Sequence, residues 1–186
     1  MSLCGIALDV IAHALDRGER RTPVLAGLDP ALCELAATFV TLERNDRLLG
    51  CVGTLRAHQP LAIDVAEHAL AAAFDDTRAP AVTRADFPEM SVKVSVLSPS
   101  TPVVACSFED LCTRVRPGID GLTVETGETS RATLLPSVWA KLRDCDEFLA
   151  ALWSKAGLRA RAWPAGVRVF RYTTVEECDS GPRPAL

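Results

Sequence analysis

Residues 38–55, TFVTLERNDRLLGCVGTL, carry the pattern that decides the fold of this chain. The run from Thr38 to Leu42 is rich in β-branched and aromatic residues, which are typical of a strand. Leu48 to Leu55 predicts a second strand, and the polar residues Arg44 to Asp46 between the two predict a turn. The stretch therefore predicts a β-hairpin.

The second strand contains two glycines, Gly50 and Gly53, which bracket Cys51. Glycine within a strand indicates a bend or bulge, or a place where another group approaches the backbone closely. The Cys51 thiol is a candidate nucleophile if a base or a cation lowers its pKa, and His58 and Arg56 lie on the segment that follows. The alternative is a buried cysteine beside packing glycines, because free cysteine is among the most buried residue types.

Helices and further strands surround the hairpin without strict alternation. Pro60 opens a predicted helix that runs to about Phe74, with alanines that allow close packing on a sheet, and Ser91 to Ser98 alternates as a strand does. Recurring hairpins favour an α+β fold over a doubly wound sheet. The other predicted elements are helices over 3–17 and 108–115, helices beginning at Pro136 and at an Asp146 cap, a helical turn at Asp29-Pro30, and strands over 121–125, 131–135 and 167–172.

Length and composition predict one domain. The 186 residues are 48% hydrophobic and 24% charged, an ordinary globular mixture. We expect a single compact domain over 1–178, with a mixed or antiparallel sheet flanked by helices, and a flexible tail over 179–186 that is rich in proline and glycine.

Charge and hydropathy exclude several classes of protein. The net charge of -4 lacks the basic surplus of nucleic-acid binders. No apolar run approaches the roughly 18 residues of a membrane span, and no secretory signal is visible. We therefore expect a cytoplasmic protein that binds neither nucleic acid nor membrane. The seven cysteines are scattered and the three histidines isolated, so we predict reduced thiols, no metal site and no cofactor.

A second candidate site is the loop Asp75-Asp76-Thr77-Arg78, directly after the Pro60 to Phe74 helix. An arginine there can hold a carboxylate or a phosphate in a two-pronged grip. The alternative is an internal aspartate–arginine pair that only pins the loop. His13 is interpreted as a solvated helix residue, and His68 lies on the predicted helix without a partner in the sequence.

These stretches, in this order and spacing, resemble the AMMECR family, whose bacterial members are called AmmeMemoRadiSam system protein A. The resemblance extends along nearly the whole chain. It rests on Phe39-Val40-Thr41-Leu42, residues 48–55, Pro60-Leu61, Asp64-Val65, residues 71–74, Asp76-Thr77-Arg78, residues 94–98, Asp120-Gly121-Leu122, residues 135–139, Glu147-Phe148-Leu149 and residues 155–158.

The resemblance implies an α+β domain of two intimate halves around a cleft. It also implies a setting, because relatives are often encoded with a Memo-like protein and a radical SAM protein; it carries over no established catalytic activity. Two residues depart from the family pattern: Leu49 stands where the family usually has Arg, and Ala79 where it usually has Phe. If that Arg activates the thiol, this chain must use Arg47 or Arg56 instead.

Three hypotheses follow. The first is an accessory protein whose cleft holds a ligand or a segment of a Memo-like or radical SAM protein, with Gly50, Gly53, Asp76 and Arg78 as binding residues. The second is a transferase or hydrolase with Cys51 as nucleophile. His58 would assist the thiol in that case. The third is a binder of a small ligand through Arg78. In every case we expect Asp76 and Arg78 to lie near Cys51.

Overall fold

The structure, a computed structural model, describes residues 1–127, 130–142 and 144–186. The chain divides into two units, which we treat separately: unit 1 is Met1–Leu97 with Val175–Leu186, and unit 2 is Ser98–Thr174. Each unit combines helices with an antiparallel sheet, so the predicted α+β fold class is confirmed.

The helices and strands are numbered in chain order. They are α1 (Leu3–Arg17), α2 (Pro30–Cys33), β1 (Leu35–Ala36), β2 (Thr38–Arg44), β3 (Arg47–Gly53), β4 (Gln59–Pro60), α3 (Leu61–Phe74), β5 (Ser91–Leu97), β6 (Thr101–Val103), α4 (Phe108–Arg114), β7 (Gly121–Thr126), β8 (Ser130–Leu134), α5 (Cys145–Lys155), β9 (Arg168–Tyr172) and β10 (Thr174–Asp179). Short 3-10 helices lie at Phe87–Glu89 and Pro136–Ala140.

The sheet of unit 1 has the order β10-β5-β2-β3, and β2 runs antiparallel to both β3 and β5. The predicted hairpin is confirmed as β2–β3. Its turn places Asn45 and Asp46 at φ 50° and 60°, the left-handed conformation that closes a tight hairpin. Leu42 pairs with Gly50 while Glu43 pairs with Leu48, so Leu49 is an extra residue. The predicted bulge therefore lies next to Gly50.

Helices α1 and α3 pack on this sheet and form the core of unit 1 with it. Ser2 caps α1 by accepting a hydrogen bond from the Gly5 N–H, and α1 ends at Gly18, which adopts φ 71°. A side chain at Gly50 would overlap the carbonyl oxygen of Ala72 on α3. The alanines of α3 thus allow the close helix–sheet approach that the sequence predicts.

Unit 2 has a sheet of order β6-β9-β7-β8, in which every neighbouring pair is antiparallel. Its core contains the aromatic rings of Phe108, Phe148 and Trp153, all buried. The predicted cap of α5 was wrong by two residues. The Asp144 carboxylate, not that of Asp146, accepts the hydrogen bond, and its donor is the Asp146 N–H. The cap has to precede the first free N–H groups, and Asp146 lies inside the first turn.

Strand β10 was not predicted, because glutamates interrupt its apolar pattern. Both glutamates bind groups of unit 1. Glu177 accepts hydrogen bonds from the main-chain N–H groups of Leu3 and Cys4, and Glu176 accepts one from the Ser95 hydroxyl. In the tail after β10, the Arg183 guanidinium donates to the Phe87 carbonyl at 2.9 Å. The flexibility of residues 179–186 stays a prediction.

Candidate functional site

Cys51 lies on β3, the last strand at one side of the unit 1 sheet. Its cross-strand neighbour is Thr41, whose hydroxyl donates a hydrogen bond to the Cys51 sulfur at 3.3 Å. The cysteine is partly buried, with its side chain directed away from the face of the sheet that α3 covers, since the neighbouring Gly50 faces Ala72 on that helix.

The loop after α3 brings Asp76 and Arg78 to the outer edge of β3, as the sequence predicts. The Asp76 carboxylate accepts a hydrogen bond from the Cys51 N–H at 2.8 Å, and the Arg78 guanidinium donates one to the Cys51 carbonyl oxygen at 2.6 Å. The two side chains also bind each other in two-pronged geometry, with distances of 2.8 Å from Nε to Oδ1 and 2.6 Å from Nη2 to Oδ2.

The pair therefore occupies the place of a neighbouring strand. An edge strand has main-chain donors and acceptors without a partner on its outer side. At Cys51 a carboxylate satisfies the donor and a guanidinium satisfies the acceptor. We call Cys51, Asp76 and Arg78 together the Cys51 edge. This contact fits both interpretations of Asp76 and Arg78. The two side chains form an internal ion pair, and they also touch the candidate nucleophile, Cys51.

The charges of the Cys51 edge are strongly coupled. Hydrogen bonds from the Arg78 guanidinium, and then from the Cys51 and Arg78 N–H groups, hold the pKa of Asp76 well below its usual range despite partial desolvation. The same ion pair raises the pKa of Arg78. The Asp76 side chain is only 5% exposed, whereas that of Arg78 is 61% exposed. The edge thus presents a fixed cation at the surface, with its counter-charge underneath.

The structure does not bring His58 to the thiol. His58 is exposed, and its Nδ1 lies 3.0 Å from the carbonyl oxygen of Arg56. Among the described residues, no histidine forms a hydrogen bond with the Cys51 sulfur, whereas the Arg78 guanidinium lies close enough to the Cys51 thiol for the thiol to contribute, after Asp76, to the raised pKa of Arg78. Leu49, at the family's Arg position, is buried in the core of unit 1, and Arg47 is exposed.

Other residues of the same chain lie close to Gly50 and Gly53. A side chain at Gly50 would overlap Ala72, and one at Gly53 would overlap the Thr38 carbonyl oxygen and the Phe39 ring. These contacts explain both glycines by packing. A ligand contact at either glycine stays a prediction.

A buried polar network in unit 1 was missed by the sequence analysis. The Asp64 carboxylate, fully buried on α3, accepts hydrogen bonds from the Thr38 N–H at 2.9 Å and the Thr38 hydroxyl at 2.7 Å. Gln59 donates to its other oxygen at 3.2 Å, and His68 Nδ1 lies 3.2 Å away. The interpretation of His68 as a residue without partners was therefore wrong. The available signal was the spacing of Asp64 and His68, four residues apart on one predicted helix.

Two further observations concern the residues that the structure describes. Among them, no group of three histidine, cysteine or acidic side chains could hold a metal ion. No helix in that part of the chain is long and apolar enough to cross a membrane. What the Cys51 edge can offer chemically is a partly buried thiol and a fixed, exposed guanidinium.

Comparisons with known proteins match nearly the whole chain. The AMMECR1 family model matches residues 4–176. A protein of Methanothermobacter thermautotrophicus is 35% identical over 158 residues, which cover 84% of this chain and 82% of that protein. A protein of Thermofilum pendens is 36% identical over 159 residues, 77% of this chain and 72% of that protein. The crystal structure of the uncharacterized protein PH0010 from Pyrococcus horikoshii superposes with a TM-score of 0.88 at 31% identity, covering 99% of this chain and 95% of that one.

Proposed function

Because this chain belongs to the AMMECR1 family, we propose that it is a cytoplasmic accessory protein that binds a Memo-like or a radical SAM protein through the Cys51 edge. The observation that supports the proposal is that the Arg78 side chain is both held in place and exposed. Its guanidinium is fixed by Asp76 and by the Cys51 carbonyl, yet it remains largely exposed.

A fixed, exposed guanidinium favours binding over chemistry. Nε and Nη2 of Arg78 are engaged within the chain, while Nη1 has no hydrogen-bond partner among the described residues. Because the side chain is already ordered, a partner carboxylate can bind it at a lower entropic cost than it would bind a mobile arginine. Arginine also pairs well with carboxylates and is enriched where interfaces gain most of their affinity.

No general base is hydrogen-bonded to the Cys51 sulfur in the part of the chain that the structure describes. A catalytic cysteine needs a base or a cation near its sulfur to raise the thiolate fraction. Here the sulfur accepts a hydrogen bond from a neutral threonine hydroxyl, and the nearby Arg78 guanidinium is already held by the Asp76 carboxylate and the Cys51 carbonyl oxygen. This arrangement supports a structural role for Cys51 at the binding edge.

The test is a titration of the purified protein against the Memo-like and radical SAM proteins encoded in the same genome. We expect Arg78→Ala to weaken binding at least about tenfold, as truncation of a central interface arginine does. Arg78→Lys should restore little, because lysine cannot make the two-pronged contact. The matched control is Arg114→Ala, since Arg114 is also ion-paired, to Asp110, and 51% exposed. Unchanged binding by Arg78→Ala, or no binding to either protein, would contradict the proposal.

A second candidate function is that of a thiol-dependent transferase or hydrolase. The partial exposure of Cys51 supports it. The two candidate functions predict different rates of alkylation of the Cys51 thiol at pH 7. An ordinary free cysteine has a pKa of about 8.5 and is only a few per cent ionised there. We expect Cys51 to react slowly, and Cys51→Ala to affect binding more than any chemistry. Labelling of Cys51 well ahead of the other six cysteines in the folded protein would favour the enzyme.

A further inference from the structure

Two cysteines of unit 2 lie side by side. Cys112 is on α4, and Cys145 is the first residue of α5. The Cys145 sulfur donates a hydrogen bond to the Cys112 carbonyl oxygen at 3.5 Å, so the Cys145 thiol lies against the main chain of Cys112. Both residues are partly buried and pack against the core of unit 2, and both are free thiols.

We propose that Cys112 and Cys145 form a redox-active dithiol, which a low-molecular-weight disulfide such as oxidised glutathione converts reversibly into a disulfide between α4 and α5. This modification site is independent of the binding function proposed above, because it lies in unit 2 and shares no residue with the Cys51 edge.

The surroundings of the two thiols assign their order of reaction. Burial, the Cys112 thiol and the carboxylates of Asp144 and Asp146 raise the pKa of Cys145 to about 12. These surroundings disfavour the Cys145 thiolate, and the first attack therefore comes from Cys112, since the thiolate is the attacking form. This order resembles that of other dithiol pairs, in which one cysteine forms a mixed disulfide and the second resolves it.

The reaction balances in two exchange steps. The Cys112 thiolate attacks one sulfur of oxidised glutathione, the glutathione S–S bond breaks, and a mixed disulfide forms on Cys112 as one glutathione leaves. That glutathione leaves as a thiolate and takes the proton of Cys145, and the Cys145 thiolate then attacks the Cys112 sulfur. The second glutathione leaves as a thiolate and takes up the proton that Cys112 had released. Two protein thiols are oxidised, and one glutathione disulfide is reduced to two glutathiones.

Among the other cysteines, Cys178 lies near enough to Cys4 to contribute to the raised pKa of the Cys4 thiol, but no hydrogen bond joins these two residues in the described part of the chain. Cys4 is buried, with its sulfur hydrogen-bonded to the carbonyl oxygens of Val92 and Glu177. Cys33, Cys106 and Cys178 are exposed. In the part of the chain that the structure describes, no other two cysteines contact each other through hydrogen bonds.

The experiment oxidises the folded protein with oxidised glutathione, blocks the remaining thiols with N-ethylmaleimide, and maps the peptides by mass spectrometry without reduction. We expect one linked peptide pair that contains Cys112 and Cys145, at least about tenfold more abundant than any other protein disulfide. Reduction with dithiothreitol should return both peptides. If glutathione adducts accumulate on the exposed cysteines and no Cys112–Cys145 peptide forms, the proposal is wrong.

Single variants separate the two steps. Cys145→Ser should trap a stable glutathione adduct on Cys112, and Cys112→Ser should leave Cys145 without an adduct. The matched control is Cys33→Ser, which removes an exposed thiol and should leave the linked peptide unchanged. Equal trapping on Cys112 and Cys145 would contradict the order of attack. The mapping of the unaltered protein tests the disulfide itself even if a serine variant folds poorly.

Discussion

The two units each bury an aspartate completely, and they satisfy its carboxylate by different means. In unit 1, Asp64 is held by neutral donors from Thr38 and Gln59 together with the imidazole of His68. In unit 2, Asp120 is held by Arg116, through its main-chain N–H and through a two-pronged guanidinium contact, with Nη2 donating to Oδ1 at 2.6 Å and Nε to Oδ2 at 3.2 Å.

The difference concerns where the stabilising charge lies. Desolvation alone would raise the pKa of Asp64, but the hydrogen bond and charge interaction with His68, together with hydrogen bonds from Thr38 and Gln59, outweigh it, so that the pKa of Asp64 is lowered. The Arg116 side chain, by contrast, remains 54% exposed above the fully buried Asp120. A buried carboxylate is thus stable either with several hydrogen bonds from surrounding side chains and main-chain groups or with one largely exposed arginine, provided that every lone pair facing the interior finds a donor.

The largest effect on stability should come from placing a carboxylate at a buried position of α3 that offers it no hydrogen-bond donors. Ala69 is fully buried on the same helix as Asp64. We expect Ala69→Glu to lower the free energy of unfolding by about 4 kcal/mol or more, because an unpaired charge would be buried. Chemical denaturation measures the loss. The control is Ala71→Glu, at a partly exposed position of α3, which should cost far less. A cooperative Ala69→Glu variant of normal stability would show that this face is not core.

Removal of Asp64 tests the neutral donors directly. In Asp64→Ala the buried Thr38 N–H and hydroxyl lose their acceptor. We expect a loss of about 3 kcal/mol in the free energy of unfolding, the typical cost of leaving such groups unpaired. Asp64→Asn keeps one acceptor oxygen and should lose less. Equal losses for the alanine and asparagine variants would mean that the charge, and not the hydrogen bonds, stabilises this site.

The side chains that pair with Asp64 and with Asp120 should differ in how much they contribute to the stability of the fold. His68→Ala leaves the Thr38 and Gln59 donors in place, so we expect a loss of about 1 kcal/mol, the value of one hydrogen bond. Arg116→Ala removes the guanidinium from Asp120 and should lower the melting temperature more than His68→Ala does. Differential scanning calorimetry of both variants makes the comparison. The reverse order would indicate that Arg171, 3.9 Å from Asp120, compensates for the lost arginine.

The smallest effect is the pH dependence due to Asp64. Its folded pKa is lower than the unfolded value of about 3.9, so its contribution is fully present above that pH and is lost as the pH falls through the folded pKa. We expect wild type to lose stability between pH 5 and pH 2 more steeply than Asp64→Asn. Several other carboxylates with lowered pKa values act in both proteins, so the difference between the two unfolding curves is the informative quantity. Parallel curves would contradict the lowered pKa.

Local patterns sufficed for much of unit 1. The hairpin β2–β3 follows from β-branched runs around a short polar turn, and α3 follows from Pro60 and a run of alanines. The meeting of Asp76 and Arg78 with Cys51 was also predicted, since the loop position and the family resemblance both indicated it.

Contacts between residues far apart in the chain could not be predicted from the sequence patterns. Thr38 is 26 residues from Asp64, and Glu177 is 173 residues from the Cys4 N–H that it binds. Neither separation leaves a local periodicity, so the buried network and strand β10 were missed. The α5 cap was misplaced for a different reason: two aspartates lie two residues apart, and both suit the start of a helix.

The contacts of the Asp76–Arg78 pair with the Cys51 backbone also bear on solubility. As long as the pair engages this N–H and C=O, a strand from a second molecule cannot form hydrogen bonds there. Loss of the pair frees a donor and an acceptor at the end of the unit 1 sheet, a template on which copies of the chain can add to one another at high concentration. The loop thus protects against self-association, a role that is independent of any partner and is present as soon as unit 1 has folded.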